Sequence, residues 1–196
     1  SLKSLFQKLG EKFGKIDFIV HAIAFSDRNE LMGKYVNTSR ENFLKTLDIS
    51  CYSFTSVCQH AQPYLADNAS LLTLTYLGSE RVMPNYNVMG VAKAALEASV
   101  RYLAVDFGDR GIRVNALSSG PVKTLAAHGI DDFRYILKWN LYNSPLKRNT
   151  TLEDVGGTGL YLLSNLSSGV TGEVLHSDCG YHVVGMKAVD APDISK

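Results

Sequence analysis

The stretch Tyr86-Asn-Val-Met-Gly90-Val-Ala-Lys93 decides how this chain is read. Just upstream, Ser70-Leu-Leu-Thr-Leu-Thr75 is an apolar, β-branched run with the character of a buried strand, continued by Tyr76-Leu-Gly78. Ser79-Glu-Arg-Val-Met-Pro84-Asn85 follows, a loop whose Pro and Asn suit a turn into a helix start. Residues 90–104 then keep a helical period, with small residues on one stripe that permits close packing, for instance against a second copy of the helix. Seven residues of α-helix make almost two turns, so the Tyr86 phenol and the Lys93 ammonium project from one face, about 10 Å apart along the axis. One can touch a substrate while the other holds a cofactor. Alone, two common residues at this spacing are more often unrelated surface groups, so the surroundings must carry the reading.

Working outward, residues 1–13 form an amphipathic helix with Leu2, Leu5, Phe6, Leu9 and Phe13 on one side, closed by Gly14. Residues 16–24 read as a strand, 41–64 as a long helix, 69–75 as the next strand and 113–118 as a third. Residues 125–141 and 152–164 read as helices and 173–177 as a last strand. Strands alternating with helices predict an α/β fold: a Rossmann-like, doubly wound parallel sheet covered on both faces, in a single domain over residues 1–196.

Composition narrows the function classes. At 196 residues and 45% hydrophobic, the chain can bury a sizeable core. A net charge of +1 argues against binding nucleic acid by massed phosphate neutralisation. No apolar run of about 18 residues and no signal-peptide pattern is present, so no membrane association is expected and the cytoplasm is the expected location. Cys51, Cys58 and Cys179 lack Cys-x2-Cys pairing and read as reduced thiols, and the five histidines show no metal-binding spacing. No metal site is expected. His21, at a strand end, reads as packed or hydrogen-bonded.

A second block, Gly111-Ile-Arg-Val-Asn-Ala-Leu-Ser-Ser-Gly120-Pro-Val-Lys-Thr124, reads as a short buried strand emptying into a loop broken by Gly120 and Pro121. In a parallel sheet this loop and the one after Thr75 open on one crevice. With the ending Thr171-Gly-Glu-Val-Leu-His-Ser-Asp-Cys-Gly180, these blocks resemble the short-chain dehydrogenase/reductase family. Most members carry Tyr-x3-Lys, whereas Met89 stands four residues before Lys93 here. The Tyr86-x6-Lys93 spacing, Tyr76-Leu-Gly-Ser-Glu-Arg81, His21-Ala-Ile-Ala-Phe25, Asp48-Ile-Ser50 and residues 120–127 are similar to the bacterial enoyl-[acyl-carrier-protein] reductases, over nearly the whole chain and in the same order.

The resemblance implies NADH-dependent reduction of the trans-2 double bond of enoyl thioesters carried on acyl carrier protein, in fatty-acid elongation, by a homotetramer. It implies that Tyr86 donates to the thioester oxygen, that Tyr76 orients substrate or moves a proton, and that Lys93 holds the nicotinamide ribose. Ile23, Val122, Lys123, Thr124, Leu125 and Ala126 are implied beside the cofactor. Ala24, Ser26, Tyr76, Tyr86, Phe133 and Ile136 are implied around the acyl substrate. The resemblance implies that the segment after Thr124 is a lid over an acyl chain, against the commoner reading of Phe133, Ile136 and Leu137 as core. Arg134, Lys138 and Arg148 are candidates for docking the acidic carrier protein, against the commoner reading of solvated charges. Ser177 and Cys179 depart from the family pattern, which usually has a second glycine or a small residue before Gly180.

No glycine-rich phosphate turn precedes residue 16, although a dinucleotide-binding sheet opens with one. Roughly the first quarter of an enoyl reductase is therefore expected to lie outside this sequence, together with the adenine pocket and the residues that choose NADH over NADPH. The same expectation leaves a sheet edge unpaired. Two other classes are weighed. A ketoreductase or alcohol dehydrogenase of this fold needs a tyrosine where Met89 stands, and a noncatalytic binding protein is supported only by the absent glycine turn.

Overall fold

The computed structural model describes residues 1–123 and 133–194. Helix α1 (Leu2–Phe13) begins at Ser1, whose Oγ accepts from the Ser4 amide, and ends at Gly14 with φ 74°. Strand β1 (Ile16–His21) leads through a loop to the short helix α2 (Arg28–Leu31). Helices α3 (Arg40–Leu47) and α4 (Ser53–Ala61) precede β2 (Leu65–Thr75). Then come α5 (Asn87–Phe107), β3 (Arg113–Ser119), α6 (Phe133–Asn143), α7 (Leu152–Leu163) and β4 (Val174–Ser177).

The four strands pair in parallel in the order β1-β2-β3-β4. Helices α1, α4 and α5 cover one face, where Phe54, Cys58, Leu71, Leu96, Val100 and Val114 form the larger core. On the other face α7 sets Leu162 on Leu72 and Leu117. This is the doubly wound α/β sheet expected from the alternation of strands and helices. Among the described residues β1 pairs on one side only, and its Phe18 and Val20 side chains stand exposed.

Buried polar residues in β3 tie the sheet to its neighbours. The Arg113 guanidinium donates to the carbonyls of Leu162 and Ser164 and to Ser167 Oγ, so the end of α7 is pinned to β3. Asn115 donates to Val170 O and accepts from the Glu173 amide, which fixes the approach to β4. Arg113 and Asn115 are tolerated in a buried strand because each has its partners.

Several boundaries differ from the sequence reading. The first strand stops at His21, because the chain beyond it turns to line a crevice. The expected single helix over 41–64 is interrupted by a π-helical turn, Asp48–Tyr52, and ends in a 3₁₀ turn, Gln62–Tyr64. The π turn has a physical use: Ser50 Oγ accepts from the Phe25 amide and donates to the Phe25 carbonyl, both at 2.9 Å, anchoring the loop after β1. Strand β2 starts four residues earlier than expected, at Leu65, with Asn68 at φ 66° and a register shift opposite residues 16–18. Tyr86 lies outside α5, as its N-cap. Residues 124–132, including most of the segment read as a lid, lie outside the described residues.

Helix α5 approaches the end of β2 closely because two glycines face each other. A Cβ on Gly90 would stand 2.5 Å from Gly78 O, and one on Gly78 would stand 2.3 Å from the Tyr86 ring. Gly90→Ala is therefore expected to lower stability by about 1–3 kcal/mol, since the obstacle is backbone and cannot swing aside. Urea unfolding measures this. An unchanged midpoint would mean that α5 can retreat without loss.

Candidate active site

The crevice opens at the carboxyl ends of β1, β2 and β3, where a parallel sheet presents its ligand-binding loops. A cavity of about 440 Å³ lies there. Ala24, Phe25 and Ser26 from the loop after β1 form one wall. Leu74, Tyr76, Met83, Tyr86 and Met89 form the floor, Ser119 to Val122 a second wall, and Phe133 and Ile136 of α6 the cover. The lining is overwhelmingly apolar, suited to a hydrocarbon chain.

Tyr76 and Tyr86 meet inside it edge to face, with centroids 5.1 Å apart and an interplanar angle of 75°. The turn that delivers Tyr86 is unusual, because Asn85 and Asn87 on either side have φ of 55° and 31°. Asparagine tolerates that region better than other non-glycine residues, and Asn87 Nδ2 also donates to the carbonyls of Met32 and Gly33. The Pro84-Asn-Tyr-Asn87 run thus has a backbone reason for its two asparagines.

Burial raises the pKa of both phenols, and each ring has a further neighbour acting in the same direction: Tyr181 for Tyr76, and Tyr76 for Tyr86. Both remain protonated donors near neutral pH. Lys93 is buried as well, and burial lowers its pKa to about 8 against the opposing pull of Glu97 and Cys51. Its Nζ donates to the Leu74 carbonyl at 2.8 Å. An ammonium out of water needs acceptors, and the end of β2 supplies one of them.

Of the residues singled out from sequence, Tyr76, Tyr86, Ala24, Ser26, Phe133, Ile136 and Val122 line this one cavity. Lys93 and Ile23 do not line it; Ile23 stands half-exposed beyond β1. Lys123 lines a separate groove with Asn149, Thr150 and Thr151. Thr124, Leu125 and Ala126 lie outside the described residues. The Ser26 hydroxyl is engaged away from the cavity, accepting from Thr46 Oγ1 at 2.8 Å and from Asn42 Nδ2 at 3.2 Å. Phe25, Leu74, Met83 and Ser119 were not singled out. Their signal was position, at the carboxyl end of a strand, in the loop after one or in the loop before Tyr86, and composition carried none.

His21 is a buried, neutral base. Ser53 Oγ donates to Ile49 O at 2.6 Å, so it accepts from His21 Nε2, and Nδ1 faces the Thr73 hydroxyl at 3.0 Å. Burial, with Lys93 nearby, lowers the imidazole pKa to about 4. Cys179 explains one departure from the family pattern, because it sits at φ 59°, a conformation glycine adopts without cost. Among the described residues no three His, Cys, Asp or Glu side chains cluster to hold a metal, and no helix is long and apolar enough to cross a membrane.

A family model described as enoyl-(acyl carrier protein) reductase matches residues 1–182. The chain belongs to that family. It is 70% identical over 195 residues to an enoyl-[acyl-carrier-protein] reductase [NADH] of Rhizobium meliloti, covering 100% of this chain and 72% of that relative. Its fold superposes on a reductase of the family from Anaplasma phagocytophilum, solved in complex with NAD, with a TM-score of 0.94 and 62% identity, over 99% of this chain and 72% of that one. The Bacillus cereus reductase, solved with NADP+ and an indole naphthyridinone, gives 0.92 and 50%, over 94% and 72%. Met89, four residues before Lys93, is buried.

The neutral His21 predicts a pH dependence. In the unfolded chain its imidazole gains a proton below about pH 6.5, whereas the folded one stays neutral until about pH 4. The stability it contributes is therefore present above pH 6.5 and lost as pH falls toward 4. Between pH 7 and pH 5 the loss should be about 2 kcal/mol, and His21→Gln should remove that part of the slope. Urea unfolding of both proteins at the two pH values checks it, and equal slopes would refute it.

Proposed function

We propose that this chain reduces the trans-2 double bond of enoyl thioesters presented on acyl carrier protein, with NADH as reductant, in fatty-acid elongation. The observation that carries this reading is the pair of protonated, mutually packed phenols in an apolar cavity at the carboxyl end of a parallel sheet. Family membership and the names of the relatives support it.

The residues fit a nicotinamide. An ammonium has three donors, and the Leu74 carbonyl takes one of them from Lys93. Val122, in the cavity wall, offers backbone polar groups to a carboxamide, and Ile23, in the loop after β1, is assigned apolar contact with the cofactor. The same reading assigns Lys123, Thr124, Leu125 and Ala126 to the cofactor's phosphate side. When bound, the nicotinamide supplies a hydride to the β-carbon of the substrate.

Negative charge then builds on the thioester oxygen as an enolate. A donor aimed at that oxygen stabilises the transition state more than the ground state. Tyr86 is assigned this role: its hydroxyl resists ionisation and carries no charge of its own. Tyr76, edge-on to Tyr86, orients the thioester or passes a proton. Lys93 holds ribose hydroxyls and adds positive potential. Ala24, Phe133 and Ile136 enclose the acyl chain and exclude water, while Ser26 shapes the wall through its backbone position.

The partner assignments follow the same reading. Arg134 and Lys138 are exposed one turn apart on α6 and are proposed to meet the acidic carrier protein. Arg148 is committed to a two-pronged ion pair with Asp154 at the start of α7 and is the weaker candidate. A homotetramer is proposed, with the outer stripe of α5, where Val91, Tyr102 and Val105 stand exposed, as one contact face. The proposed location is the cytoplasm.

The full-length gene product should oxidise NADH with a crotonyl thioester. Oxidation with an acetoacetyl thioester alone would favour a ketoreductase, and no oxidation with either would favour a noncatalytic protein. Tyr86→Phe should lower kcat by about 10²–10³-fold with little change in NADH binding. Phe133→Ala should raise KM for long acyl substrates more than for short ones in steady-state assays, and equal effects across chain lengths would remove α6 from the acyl site.

A further inference from the structure

Glu97 is a carboxylate in the interior that the proposed chemistry does not use. It lies one turn beyond Lys93 on α5, and both side chains are 7% exposed. Residues four apart on a helix are surface neighbours. Here both are turned inward onto the same strand end. Thr75 Oγ1 donates to Glu97 Oε1 at 2.5 Å, and the preceding residue, Leu74, receives the Lys93 ammonium through its carbonyl. Two consecutive residues of β2 therefore grip two residues of α5 that carry opposite charges.

The short hydroxyl–carboxylate contact suits Glu97 as a charged acceptor. A buried carboxylate is retained only where something compensates its desolvation. Thr75 alone is a thin compensation for a full charge. The remaining one is electrostatic: the nearby ammonium of Lys93.

We propose that Glu97, anchored by Thr75, is a positioning residue for Lys93, the counter-charge against which the ammonium is held in the desolvated crevice. The groups facing Lys93 agree with this. From β1 comes His21, neutral and unable to supply negative charge; from the π turn comes Cys51, whose thiol is a weak partner. Tyr86 at the head of α5 stays protonated. Among the described residues Glu97 is the carboxylate that acts on both, favouring the protonated form of Lys93 and Tyr86. One carboxylate that touches no substrate would thus keep the ammonium charged for ribose binding and the phenol intact for donation.

This rests on the enoyl-reductase reading for its consequence, but the coupling is measurable without turnover. In full-length gene product with lysine isotope-labelled at Cε, and with the Lys93 resonance identified by its loss in Lys93→Arg, the resonance should titrate near pH 8. Glu97→Gln keeps the length and an acceptor for Thr75 while removing the charge. The Lys93 midpoint should fall by about 1 pH unit, and the alkaline limb of kcat/KM for NADH should move with it. A folded Glu97→Gln protein with an unchanged Lys93 midpoint would overturn the proposal, since a purely structural role alters stability and leaves the titration in place. Should that variant fail to fold, Glu97→Asp retracts the charge without deleting it. A smaller fall in the midpoint then supports the proposal, and no fall overturns it. A wild-type protein that shows the coupling yet reduces no enoyl thioester would sink the assigned reaction alone.

Discussion

The close seating of α5 on the carboxyl end of β2 is the constraint on which the rest of this site depends. Strand β2 is paired on both sides, so its last residues are held in register by β1 and β3. Gly78 and Gly90 let the helix backbone reach the loop that leaves the strand. Without that approach, Tyr86 at the head of α5 would not meet Tyr76 at the end of β2, and the cavity would lose its floor. Leu74, Thr75 and Tyr76 each bond or pack onto α5 or its N-cap, which ties the strand's register directly to the positions of the polar groups.

Burial then sets the electrostatics. The same exclusion of water that makes the cavity apolar resists ionisation of both tyrosines, weakens the hold of Lys93 on its proton and keeps His21 neutral. Among the described residues the buried charges are bonded: Lys93 to Leu74, Glu97 to Thr75, Arg113 to three acceptors around the end of α7. Such an interior suits a reaction in which negative charge develops on a substrate oxygen, because hydrogen-bond donors act most strongly where water does not compete.

The opposite wall is fixed by a quieter device. The π turn between α3 and α4 adds a residue to the helix and directs Ser50 to the Phe25 backbone and Ser53 to His21. A loop carrying the cavity-lining Ala24 and Phe25 is thereby held by side-chain bonds to a helix.

The order of strands and helices, the parallel sheet, the family and the loops that meet at the crevice were all legible from the chain alone. These depend on local periodicity and on motifs whose spacing survives without coordinates. Tyr76, Tyr86, Ala24, Phe133, Ile136 and Val122 were named in advance through the resemblance to the family, and the structure sets all six around one cavity. What the tertiary structure decided was non-local. It placed Tyr86 before the helix, sent the Lys93 ammonium to Leu74, turned the Ser26 hydroxyl toward Asn42 and Thr46, broke a predicted helix at Asp48–Tyr52 and set Cys179 at positive φ. Each outcome depends on which acceptor or backbone stands across the core, and a sequence records that partner only after the sheet has brought the two segments together.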